Sequence, residues 1–75
     1  MPVINLTETG KKIKEIIKIK GFTVKDIADA FGFASPYPVY KWINGQSLPA
    51  LDNLVVLAKI TGVKMDEIIV VNEAV

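Results

Sequence analysis

The sequence predicts an all-α fold of five short helices, and three observations predict it. Apolar residues recur at the 3.6-residue period of a helix through most of the chain. Gly21, Gly32, Gly45 and Gly62 fall where those periodic stretches stop, as residues that close helices in a left-handed conformation do. Thr23 followed by Asp26 has the spacing of a capping box, a start signal for a helix. At 75 residues the chain holds one domain at most. We expect a single domain over 1–75, with a helical core of about 7–70 and a short apolar tail at 70–75.

A chain this short has a marginal core, and many such domains depend on disulfides or metals. This one has neither Cys nor His, which excludes disulfides, the usual zinc ligand sets, thiol nucleophiles and imidazole bases. Packing must come from apolar residues, at 51% of the chain with a mean hydropathy of +0.37. The net charge is +1, and every basic residue is Lys. A strongly cationic nucleic-acid tail is absent, as is Arg, the commonest reader of guanine. Residues 1–41 carry seven Lys against Glu8, Glu15, Asp26 and Asp29, a balance of +3. Residues 42–75 carry Lys59 and Lys64 against Asp52, Asp66, Glu67 and Glu73, a balance of −2. Positive charge belongs to the first half.

The first helix is expected to start near Thr7 or Thr9, with Ile13, Ile16 and Ile17 inward and Lys11, Lys12, Lys14 and Lys18 outward. Thr23 caps a second, Val24 to Phe31, whose inner face is Val24, Ile27, Ala28 and Phe31. Phe33-Ala-Ser-Pro36 forms a turn, and a third helix runs to Asn44-Gly45. A fourth spans about Ala50 to Ile60, with Leu51, Leu54, Leu57 and Ala58 at helical spacing. A last turn, near Met65 to Ile69, leads into Val70-Val71.

Two short helices joined by a turn at Gly32 are what a helix-turn-helix requires. On the third helix Val39, Trp42 and Ile43 cluster on one side, and Tyr37, Tyr40, Lys41 and Asn44 on the other. No acidic residue occurs between Asp29 and Asp52. Such a face can enter a major groove without repelling phosphates. It also fits a protein partner, since large exposed aromatics usually contact something.

The residues Thr23-Val-Lys-Asp-Ile-Ala-Asp-Ala-Phe-Gly32, Val39-Tyr-Lys-Trp-Ile-Asn-Gly45, Leu48-Pro49, Leu51-Asp-Asn-Leu54, Leu57-Ala58 and Gly62-Val63-Lys-Met-Asp-Glu-Ile68 resemble the Cro/CI-type (XRE) helix-turn-helix family over about residues 10–70. That resemblance implies a compact five-helix, lambda-repressor-like DNA-binding domain with the helix-turn-helix at helices two and three. It implies a transcriptional regulator, repressor- or Cro-like, that binds double-stranded operator DNA as a homodimer in bacteria or their phages. The recognition helix would be about 36–44. Ser35, Pro36, Tyr37, Tyr40 and Lys41 would face base edges, and Thr23, Lys25, Asn44, Gln46 and Ser47 would hold phosphates. Phosphate contacts fix register while base contacts specify.

Three departures from the family pattern stand out. One extra residue lies between Gly32 and Val39, to be absorbed by Ser35-Pro-Tyr-Pro38. Either Ser35 caps with Pro36 in the first helical position, or the helix starts later, with Pro38 first and Tyr37 still extended. We favour the second, in which Tyr37 projects from the helix mouth. Ile43 stands where the family often has a Glu paired with an Arg on helix one, and its partner position here is Ile17. Replacing such an ion pair by apolar packing is neutral or stabilising by about 1–4 kcal/mol. Finally, the Lys-only charge set implies few phosphate contacts, about 3–4 per monomer.

Other classes fare worse. The hydroxyls have no His to activate them, and Asp26, Asp29, Asp66 and Glu67 sit as cap and surface carboxylates, so no enzyme is expected. No cofactor or small-molecule ligand is evident. The Lys cluster on helix one reads as a solvated face rather than a membrane-binding one. Met1-Pro-Val-Ile-Asn-Leu6 has no apolar stretch of signal-peptide length, and a cytoplasmic location is expected. The main rival is the same fold used as a protein-interaction module, such as an antitoxin or the target of an antirepressor. Surplus apolar residues remain in Val3, Ile4, Ile69, Val70, Val71 and Val75. Ile69, Val70 and Val71 are the candidate isologous dimer contact, the alternative being a tail folded on its own core.

Overall fold

Asn5 opens the first helix, two residues before Thr7 and four before Thr9, the two expected caps. Its side-chain oxygen accepts a 2.9 Å hydrogen bond from the backbone N–H of Glu8, satisfying a donor the first turn leaves without a partner. The computed structural model describes residues 2–73, and Val75 of the apolar tail lies outside the described residues. The elements in chain order are β1 (Pro2–Ile4), α1 (Leu6–Ile19), α2 (Val24–Phe31), α3 (Tyr37–Ile43), α4 (Leu51–Thr61), α5 (Met65–Ile68) and β2 (Val71–Glu73). All five expected helices are present.

The fold is mostly helical, as expected, with one small sheet added to the five helices. β1 and β2 form a two-stranded antiparallel sheet with Pro2 opposite Glu73, Val3 opposite Asn72 and Ile4 opposite Val71. Beyond it, Asn5 N–H donates to the Val70 carbonyl at 2.8 Å. Thr9, only 1% exposed, closes the same junction. Its hydroxyl oxygen accepts from Val70 N–H at 2.9 Å, and its O–H points at the Val70 carbonyl at 3.5 Å. Three-residue strands separated by the whole chain have no periodicity to reveal them, so an all-α expectation missed them.

The core is Ile13, Ile16, Ile17, Ile27, Ala28, Val39, Trp42, Leu54, Leu57 and Ile68, with contributions from all five helices. Each large aliphatic in it contributes roughly 1.5–3 kcal/mol by leaving water. Phe31 and Ile43 are half-buried against this cluster. Ile43 and Ile17 thus belong to one apolar assembly, in keeping with an apolar replacement for a charged pair. Leu51 departs from its expected inward position: as the first residue of α4 it has no neighbour to cover it and is 74% exposed.

α1 lies unusually close to the end of α3. A Cβ built on Gly10 would sit 2.5 Å from the carbonyl oxygens of both Trp42 and Ile43, so only glycine permits the approach. Gly45, at φ +73°, presses in the same way on the backbone of Leu6 and Thr7. These two contacts set the axial position of α3 against α1.

Candidate nucleic-acid interface

The second helix is held at its start by the expected capping box. Asp26 N–H donates to the Thr23 hydroxyl at 3.0 Å, and Thr23 N–H donates to the Asp26 carboxylate at 2.8 Å. The backbone hydrogen bond from Thr23, then that with its side chain, holds the Asp26 carboxyl below its ordinary value of 3.8. Thr23 and Lys25 are both exposed at this end of α2. The Asp26 carboxylate at the same helix end opposes part of the attraction an anion would feel there.

Gly32 ends α2 in the left-handed conformation, φ +72°. Phe33 N–H then returns to the Ala28 carbonyl at 2.9 Å, which folds the turn under the helix. The sequence places Phe33 in the turn after Gly32. There it forms a three-ring cluster with Phe31 and Trp42, with centroid separations of 5.3 Å (Phe31–Phe33), 5.6 Å (Phe31–Trp42) and 6.0 Å (Phe33–Trp42). The cluster joins α2, the turn and α3 through apolar faces and edge contacts. Its signal in the sequence was the pair of aromatics flanking Gly32.

The start of α3 matches neither expected arrangement. Tyr37 is the first helical residue and Pro38 the second, with Pro36 in the cap position at φ −76° and ψ −2°. The favoured reading, with Tyr37 extended ahead of a helix beginning at Pro38, is therefore incorrect. Ser35 still assists, since its hydroxyl accepts from Tyr37 N–H at 3.3 Å. Pro38 loses nothing there because the first turn has no helical acceptor for its N–H. Ala34, Ser35 and Pro36 form bends that take up the extra residue.

The outer face of α3 is as the helical wheel places it. Tyr37 is 64% and Tyr40 47% exposed, Asn44 is exposed, and Lys41 is half-buried. Val39 and Trp42 face inward. The Lys41 ammonium lies 5.7 Å from the centroid of the Tyr37 ring, one turn earlier on the helix. At the other end Gln46 N–H donates to the Lys41 carbonyl at 2.9 Å and Ser47 N–H to the same oxygen at 3.3 Å. This folds the chain back and leaves the Gln46 side chain exposed and Ser47 half-buried beside Asn44. Ser35, Pro36, Tyr37, Tyr40 and Lys41 thus share α3 or its mouth. Asn44, Gln46 and Ser47 share the loop after it, and Thr23 and Lys25 lie at the start of α2.

Of the candidate dimer residues, Ile69 and Val70 are half-buried and Val71 is exposed, with the Val70 backbone engaged by Asn5 and Thr9. Among the described residues there is no cluster of potential metal ligands, and no helix is long and apolar enough to cross a membrane.

A helix-turn-helix family model matches residues 13–68, well over half of the chain. No curated protein matches by sequence. The restriction-modification controller protein C.AhdI from Aeromonas hydrophila has a similar structure, with a TM-score of 0.74 and 24% identity over 84% of this chain and 94% of its own. The DNA-binding domain of BldD is similar with a TM-score of 0.73 and 18% identity, over 88% of this chain and 94% of its own. At these identities both likenesses speak to the fold.

Proposed function

The chain belongs to the XRE-type helix-turn-helix family, and from that premise we propose that it is a sequence-specific transcriptional regulator, repressor- or Cro-like, that binds double-stranded DNA. The observation that carries this is the outer face of α3, where two exposed tyrosines, an ammonium and an amide stand together. No carboxylate lies between Asp29 and Asp52 to oppose phosphates. In this reading α3 enters the major groove, with Ser35, Pro36, Tyr37, Tyr40 and Lys41 toward base edges. Thr23 and Lys25 hold the backbone on one side of the groove, and Asn44, Gln46 and Ser47 hold it on the other. The structural neighbours support the reading, one being described as a DNA-binding domain and the other as a controller protein.

The regulator acts as a homodimer, with Ile69, Val70 and Val71 at the two-fold contact, and the whole of 1–75 is one domain working in the cytoplasm. The exposure of Val71 and Val3 on the small sheet supports an apolar contact there. A second reading, as a protein-interaction module, draws on a shallow apolar groove lined by Val55, Ala58 and Met65 and rimmed by Lys59, Lys64 and Asp66.

Selection of bound fragments from a random DNA pool, followed by gel shifts, tests the proposal. A palindromic site with half-sites about one helical turn apart is expected. The double variant Tyr37→Ala/Lys41→Ala should lose preference for that site. Absence of binding by the wild type at low salt would sink the proposal. Sedimentation at micromolar concentration tests the dimer.

A further inference from the structure

α3 carries a single cation, and the chain contains no guanidinium to share its task. That cation rests against an aromatic ring. Lys41 lies four residues after Tyr37, and its ammonium sits 5.7 Å from the ring centroid, within the range of a cation–π contact. Side chains on a helix lean toward its N-terminus, and this contact draws the ammonium further that way, over the first turn of α3. The first turn of a recognition helix is the part that reaches base edges. Without the ring, a flexible lysine near the end of a seven-residue helix is free to swing toward a phosphate.

The chemistry of the ammonium then selects its target. It donates and cannot accept. In the major groove guanine presents two adjacent acceptors, N7 and O6. Adenine pairs its N7 acceptor with an amino donor, cytosine offers a donor, and thymine sets a methyl group beside its single acceptor. A lone ammonium therefore prefers guanine.

We infer that Tyr37 is a positioning residue that aims Lys41 at a guanine in each half-site. The inference deepens the DNA-binding reading and rests on it. It makes the Tyr37 ring face, rather than its hydroxyl, the part that governs specificity.

The test uses the duplex recovered by selection, with each guanine replaced in turn by 7-deazaguanine, which removes the N7 acceptor. Binding of the wild type, Tyr37→Phe, Tyr37→Leu and Lys41→Met is followed by fluorescence anisotropy, with circular dichroism confirming that each is folded. One replacement should weaken the wild type roughly tenfold. Tyr37→Phe keeps the ring and should keep that sensitivity. Tyr37→Leu and Lys41→Met should both lose it. Lys41→Met should bind random DNA more weakly than Tyr37→Leu does, because the latter keeps a lysine that reaches phosphates. A wild type indifferent to every replacement, or a Tyr37→Leu variant as sensitive as the wild type, overturns the inference while leaving DNA binding intact. Failure of the wild type to bind any duplex overturns both.

Discussion

The Trp42 carbonyl oxygen lies so near the Cα of Gly10 that a Cβ on residue 10 would stand 2.5 Å from it. The contact joins the middle of α1 to the last turn of α3, and Trp42 also anchors the rings of Phe31 and Phe33. One residue pair thus couples the long helix, the turn and the face proposed to read DNA. The Gly10→Ala substitution forces backbone apart from backbone, with no flexible side chain to yield. We expect it to destabilise the protein by about 1–3 kcal/mol, the usual range for overpacking. Urea unfolding should show a lower midpoint at unchanged slope.

Trp42→Ala removes the buried member of the three-ring cluster and is expected to cost about 3–5 kcal/mol. A domain of this size has little more than that to lose. Thermal melts should find the variant largely unfolded at ambient temperature, while Trp42→Phe should retain a cooperative transition.

Thr9→Val keeps the shape of a residue that is 1% exposed while deleting the hydroxyl bound to Val70. Val70 N–H is then left without its partner, at a cost of about 1–3 kcal/mol. Hydrogen exchange should accelerate at the Val70 and Asn5 amides, with the amides of α2 and α3 little changed. Equal acceleration throughout would show that the junction is not a local fastening.

Asp26 gives a pH dependence of definite sign. Its carboxyl titrates below 3.8 in the folded protein because hydrogen bonding to Thr23 favours the charged form. The unfolded chain therefore binds the proton more readily, and the capping contribution is fully present above the ordinary carboxylate range. It fades as pH falls through 3.8 and then through the lower folded value. Asp26→Asn should show less loss of stability between neutral pH and pH 3 than the wild type.

The sparse positive charge predicts a modest salt dependence of DNA binding. With about 3–4 phosphates neutralised per monomer, a dimer should show a slope of log affinity against log salt near −6. Lys25→Ala should reduce that slope by roughly 1–2 and weaken all sequences alike. A salt-independent affinity would argue against groove docking.

Much of this architecture was legible in the sequence. α2 begins and ends where Thr23, Asp26 and Gly32 say it should, because the signals and the groups they satisfy lie within four residues of one another. The outer face of α3 follows from helical geometry once a helix is granted there. The start of α1 was misplaced because Asn5, Thr7 and Thr9 all suit a cap. Thr9 is taken up elsewhere, by a backbone 61 residues away. The register of Tyr37 and Pro38 was misjudged because two prolines admit several starts, and the choice between them depends on how Ala34, Ser35 and Pro36 bend.

The sequence by itself determined the five helices, their inward faces with the exception of Leu51, and the polar, acid-free surface of α3, since each depends on interactions spanning a few residues. Only the tertiary structure decided that the chain ends meet in a small sheet, that Gly10 sits against the carbonyl of Trp42, and that Lys41 rests over Tyr37. The first two require backbone groups far apart in sequence to meet, and a local pattern carries no record of such a meeting. The third requires the helix to begin at Tyr37 rather than after it. A shift of one residue there would change the turn on which the ring and the ammonium meet.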